Sequence, residues 1–129
     1  MTKIDHSALY VQRLEDARVF FEKYFGGKSN ALYHNEKTGF SSYFLTFGSD
    51  YRLEIMSRPA LSGSANPTEA RIGHDHISFS VGGVAAMDKL TAVLEKDGFQ
   101  VLDGPRIMGD GYYESCIVGP ENIKIEITE

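Results

Sequence analysis

Two stretches of this 129-residue chain repeat one order of apolar and ionisable residues, and that duplication narrows the folds open to it. Ile4-Asp5-His6-Ser7-Ala8-Leu9-Tyr10-Val11 has its counterpart in Asp75-His76-Ile77-Ser78-Phe79-Ser80-Val81. Tyr51-Arg52-Leu53-Glu54-Ile55-Met56 has its counterpart in Asn122-Ile123-Lys124-Ile125-Glu126-Ile127. His6 and His76 stand 70 positions apart, and Glu54 and Glu126 stand 72. A duplicated scaffold that keeps one histidine and one glutamate per copy points to a site shared by the copies.

Periodicity supplies the elements. The first copy predicts a strand from Ile4 to Val11, with Ile4, His6, Ala8 and Tyr10 on one face. A helix is predicted from about Glu15 to Phe25, with Ala17, Phe20, Phe21 and Tyr24 at helical spacing and Gly26-Gly27 as its stop. Strands follow near Ala31 to His34 (a weak one), Ser42 to Phe47 and Tyr51 to Met56, with Gly48-Ser49-Asp50 as a turn. Ser57 to Gly73 reads as a linker, since Pro59, Gly63 and Pro67 interrupt any regular pattern. The second copy predicts strand His76 to Val81, helix Val84 to Asp97 closed by Gly98, and strands near Gln100 to Leu102, Tyr113 to Val118 and Ile123 to Thr128. The order is βαβββ twice. This is an α+β chain, one domain of two repeats (about 1–56 and 74–129), whose open curved sheets must pair to bury their faces.

Strand parity turns the repeat into chemistry. Ile123, Ile125 and Ile127 point one way, and Lys124, Glu126 and Thr128 the other. Leu53 and Ile55 oppose Glu54, while Ile77, Phe79 and Val81 oppose His76. The apolar face can meet a helix, which leaves the face with the ionisable residue relatively polar. A single strand glutamate is ordinarily a solvated surface residue, but surface residues need not recur at matching positions. His6, Glu54, His76 and Glu126 are therefore the candidate ligands of one divalent metal ion. Two nitrogen and two oxygen donors suit nickel, cobalt or zinc, with manganese and iron also admitted.

Composition closes off other classes. The net charge is −5 and the 13 Lys and Arg are scattered, so neither nucleic acid nor an anionic membrane is an expected partner. No apolar run approaches the ~18 residues of a bilayer span, and the first residues show no secretory signal pattern. One cysteine, Cys116, fits a reducing cytoplasm. Eight Phe and seven Tyr can line a cavity for a small molecule. Because each copy supplies one His and one Glu, the halves must meet within one chain or by exchange between two. Open strand edges favour a homodimer.

At these residues the chain resembles the vicinal oxygen chelate superfamily, the group of glyoxalase I, bleomycin-resistance proteins and extradiol dioxygenases. The likeness runs through Ala17-Arg18-Val19-Phe20-Phe21 before Gly26, through Gly73 to Val81, and through Gly119-Pro120-Glu121-Asn122-Ile123-Lys124-Ile125-Glu126. It implies paired βαβββ modules forming a curved, half-open barrel. It also implies that His6, Glu54, His76 and Glu126 hold the metal. Glu54 favours the glyoxalase-like members, since related transferases and dioxygenases lack the first glutamate. Two positions depart from bacterial glyoxalase I, which carries arginine where Tyr10 stands and asparagine where Arg58 stands. Both help hold glutathione there, so Tyr10 and Arg58 are substrate-side candidates and glutathione itself is in question. Ser42-Tyr43-Phe44-Leu45 and Gly104 to Ser115 look like an uncharacterised glyoxalase-like subgroup, which adds Tyr43.

The resemblance implies a lyase or isomerase that acts on an α-oxo thiol adduct or similar vicinal-oxygen compound. Glu126 would serve as base and Glu54 as the second candidate. Arg106 is a candidate clamp for a substrate carboxylate, with a solvated loop arginine as the plain reading. Tyr112 and Tyr113 are cavity aromatics or strand packing. Arg52 and Lys124 read as rim salt-bridge residues, and His74 and Asp75 as part of the linker boundary. The competing functions are a metal-free drug- or metabolite-binding protein and an Fe(II) dioxygenase.

Overall fold

The computed structural model describes residues 1–129. Its first helix, α1 (Leu14–Phe25), buries Ala17, Phe20 and Phe21, the apolar stripe expected from their spacing. Glu15 and Asp16 occupy its first turn, where the helix dipole favours negative charge. Gly26 ends it in the left-handed region at φ 67°, a conformation that a Cβ disfavours.

The chain divides into two units, Met1–Gly63 and Ser64–Glu129, each with one sheet and one helix. The first sheet holds β1 (His6–Tyr10), β2 (Lys28–Ser29), β3 (Tyr33–His34), β4 (Ser41–Thr46) and β5 (Arg52–Ser57). Its order is β1-β5-β4-β2, with β3 also paired to β4 and β1 parallel to β5. The second holds β6 (Ile77–Ser80), β7 (Val101–Ile107), β8 (Tyr113–Val118) and β9 (Lys124–Thr128), in the order β6-β9-β8-β7 with β6 parallel to β9. Helix α2 (Val84–Lys96) packs on β7, β8 and β9, and α1 packs on β5 and β2. The α+β class stands, the second unit has the βαβββ order, the first has one short strand more, and neither sheet closes on itself.

Each core lies between a sheet and its helix. Leu45, Leu53 and Ile55 are buried in the first unit, and Ile117, Ile125 and Ile127 in the second, with Met87 and Leu94 of α2. One polar pair enters the second core. Thr91 gives its proton to the Met87 carbonyl (2.8 Å), so Ser115 donates to the Thr91 oxygen (2.7 Å).

Three boundaries differ from the sequence reading. The weak strand placed at Ala31 to His34 is confined to Tyr33–His34 (β3), and a further short strand that the sequence reading did not have, β2, precedes it; both pair with β4. The strand placed at Gln100 to Leu102 runs on to Ile107 through Gly104-Pro105, so Arg106 sits in a strand. Register shifts between Val101 and Arg106 absorb the two strand breakers. His76 lies just before β6 rather than within it.

Gly104 has φ 76°, and a Cβ there would stand 2.3 Å from the Glu114 carbonyl oxygen. Gly104→Ala should therefore lower stability by at least the ~1–3 kcal/mol of a non-glycine residue held in this region. Urea unfolding measures it, and an unchanged midpoint would show that β7 can move aside.

Candidate metal and substrate site

In the first unit, β1 and β5 run parallel with His6 opposite Arg52 and Ala8 opposite Glu54. His6 and Glu54 share the face away from α1, and His6 Nε2 lies 3.9 Å from Glu54 Oε1. The edge of the Phe44 ring abuts the His6 imidazole at 5.3 Å between centroids. In the second unit His76 Nε2 lies 3.0 Å from Glu126 Oε2. Both pairs are half-buried.

The outer edge of each imidazole is engaged as well. Asp5 meets His6 Nδ1 at 2.7 Å and Asp75 meets His76 Nδ1 at 2.8 Å. Arg52 binds the same Asp5 oxygen and Lys124 the same Asp75 oxygen. Hydrogen bonds from the histidine and from the cation hold both aspartates below the ordinary carboxylate range. The sequence reading gave Asp5 no role and assigned Asp75 to the linker boundary. Their signal was the Asp-His dipeptide, present in both copies.

This donor set fits a divalent cation. Imidazole nitrogen and carboxylate oxygen suit borderline metals, each Nε2 faces a carboxylate, and each Nδ1 is bonded elsewhere. Each unit brings one histidine and one glutamate together, and within neither does a third His, Cys, Asp or Glu complete a metal-holding group.

A cavity of about 540 Å³ opens on the second unit beside Glu126. Leu102, Met108 and Cys116 give it apolar wall, and Asp110, Glu114 and Lys124 give it charge. Its volume lies within the range of small-molecule sites, roughly 300–1,000 Å³. Cys116 is buried, and burial pushes its thiol up, away from a nucleophilic thiolate.

Glu114 is a second residue that the sequence reading passed over, although it shares strand parity with Cys116, which faces Glu126 across β8–β9. Its carboxyl is pushed above the ordinary glutamate value, first by burial and then by the charges of Glu126 and Asp110. A carboxyl raised on folding binds more protons in the native state. Its contribution to stability is therefore present at low pH and lost as pH rises through the native value. Glu114→Gln should stabilise the protein at pH 7, with the gain fading toward about pH 4, where glutamates protonate. Urea midpoints at both pH values measure it, and an equal gain at both would remove the electrostatic cause.

The remaining candidates are dispersed. Tyr43 is buried on the α1 side of its sheet, where its hydroxyl donates to Glu15, and so lies on the face opposite Glu54. Tyr113 donates to Asp88 of α2 (2.8 Å) and likewise faces its helix. Both were expected beside the substrate. Even-numbered residues of β4 and of β8 lie on the opposite side from them, so parity excludes both from the ligand-bearing faces. Arg106 has its fork occupied by both oxygens of Asp103 (2.7 and 2.8 Å), which is not the open clamp expected of it. Tyr112 is exposed, as is Arg58 just past β5. Tyr10 is half-exposed on the His6 face.

A family model described as the Glyoxalase/Bleomycin resistance protein/Dioxygenase superfamily matches residues 3–127. The chain belongs to that superfamily. Solved structures carry the same fold at low identity. A glyoxalase family protein from Bacillus cereus matches with a TM-score of 0.83 at 17% identity, covering 100% of this chain and 94% of that one. The trypanothione-dependent glyoxalase I of Leishmania major matches at 0.78 and 17%, covering 100% and 87%. A fosfomycin resistance protein from Listeria monocytogenes, crystallised with manganese(II) and a dihydroxypropylphosphonic acid, matches at 0.75 and 15%, covering 99% and 92%. No curated protein sequence matches. The superfamily thus includes lyases and resistance proteins, and no helix of this member is long and apolar enough to cross a membrane.

Proposed function

We propose that this protein is a metal-dependent lyase or isomerase of the glyoxalase type, acting on a small substrate with vicinal oxygens such as an α-oxo thiol adduct. The observation that carries the reading is the twofold recurrence of one array. In each unit an aspartate, a histidine and a glutamate follow one another through space in the same order. Independent surface residues would not arrive at that order twice.

His6, Glu54, His76 and Glu126 would hold the cation, one pair from each repeat, supplied by one chain or by two copies in a homodimer. Nickel, cobalt or zinc fits the donors, and manganese or iron is admitted. When bound, a divalent ion polarises a substrate carbonyl and acidifies the neighbouring C–H.

The chain's own residues supply the proton transfer. Glu126 lines the cavity, so its carboxylate can reach a small molecule seated there and accept a proton from one carbon and return it to the next. One Glu126 oxygen lies 3.0 Å from His76 Nε2. Glu54 remains the second candidate. The carboxylates of Asp110 and Glu114 make the cavity unwelcoming to polyanions, in keeping with the loss of the expected glutathione contacts at Tyr10 and Arg58.

Elemental analysis of the purified protein, followed by a hemithioacetal isomerisation assay across several thiols and metals, tests the reading. The expected outcome is about one divalent ion per pair of repeats and turnover without oxygen uptake. Failure to retain metal after reconstitution would favour a binding protein, and iron-dependent oxygen consumption would favour a dioxygenase.

A further inference from the structure

Ser57 to Gly73 has the composition of a plain linker, yet part of it is built and reaches the Glu126 cavity. Asn66 is the hub of that part. Its side-chain oxygen accepts from the Thr68 backbone N–H at 3.2 Å and from the Thr68 hydroxyl at 3.1 Å. Its side-chain amide donates to Glu69 at 3.0 Å, and Arg71 donates to the same Glu69 oxygen at 2.8 Å. All of these bonds join residues of the segment to one another, so the turn holds its shape by itself.

Pro67 lies inside this turn. Among residues 62–75 it alone is half-buried, and the others are exposed. Pro67 and Thr68 line the cavity that Glu126 and Cys116 also line. The turn therefore meets the second unit at the cavity. Proline suits that contact, because its ring is rigid and apolar and it has no backbone N–H to leave unpaired there. Both Thr68 hydrogens go back to Asn66. A segment with few buried apolar contacts and solvent-exposed hydrogen bonds opens at little free-energy cost. Since this one carries its bonds within itself, it can swing away as a unit without melting first.

We propose that the turn at residues 66–71 is a movable wall of the cavity, and that Pro67 limits the size of molecule admitted past it. That the admitted molecule is a substrate rests on the function proposed above, and the wall itself does not.

Cys116 is the protein's one cysteine and lines the cavity, so its alkylation reports access. Rates with iodoacetamide and with the larger N-phenylmaleimide are measured on the purified protein, each relative to free N-acetylcysteine. The parent should discriminate against N-phenylmaleimide. Asn66→Ala removes the hub without touching the cavity, and should raise the N-phenylmaleimide rate about tenfold, the effect of one or two net hydrogen bonds on a local opening. Pro67→Gly removes the ring and should narrow the gap between the two reagents. Urea midpoints of both variants should match the parent's, because the turn lies outside both cores. Equal relative rates for the two reagents in the parent, rates that neither variant changes, or rates that rise only in step with a lowered midpoint overturn the proposal. Access that changes in a protein with no hemithioacetal turnover would sink the lyase reading alone. With turnover present, Pro67→Gly should raise kcat/KM for the phenylglyoxal adduct of mercaptoethanol relative to the methylglyoxal adduct. An unchanged ratio would remove Pro67 from substrate selection.

Discussion

Glu126→Gln is expected to fold like its parent and to lose turnover by roughly 10²–10⁴, the usual worth of a general base. Glutamine keeps the shape of the side chain and can still hydrogen-bond, but it cannot take up a proton at neutral pH. Glu126 projects from β9 on the side away from α2 and lines the cavity, so the change leaves the helix-facing core intact. The assay is hemithioacetal isomerisation at matched metal content, with thermal unfolding as the folding control. A Gln variant that turns over at the parent rate would strip Glu126 of the role and leave Glu54 as the remaining base.

The neighbouring residue should behave in the opposite way. Ile125 is fully buried between β9 and α2, and its truncation to alanine leaves a cavity that close-packed neighbours fill only in part. Ile125→Ala should cost about 2–5 kcal/mol, a large share of the ~5–15 kcal/mol that holds a domain of ordinary stability together. That corresponds to a fall in melting temperature of roughly 6–20 °C. Urea and thermal unfolding measure it, and a loss below about 1 kcal/mol would mean that the core relaxes around the gap. One step along the strand thus separates a change that removes chemistry from a change that removes structure, because successive side chains point to opposite faces.

That same alternation explains how much was legible beforehand. Leu53, Ile55, Ile125 and Ile127 fall on the helix side, and Glu54 and Glu126 on the other, as period-two reading requires. The helices begin and end within a residue or so of their glycine stops. Tyr43 and Tyr113 show where residue type misled. A tyrosine suggests a cavity wall, yet parity places both hydroxyls under helices, against Glu15 and Asp88. Strand β7 was cut short because Gly104 and Pro105 are strand breakers, and only pairing with β8 showed that shifts of register carry the chain past them.

Local chemistry along the chain determined the βαβββ order of the second repeat, the faces of the strands and the identity of the two His–Glu pairs, since periodicity and turn residues act over a few neighbouring positions. Pairing between distant strands decided that Arg52 reaches Asp5, that Lys124 reaches Asp75, and that Asp103 occupies Arg106. Those bonds depend on register and side-chain direction across space, which no linear spacing encodes.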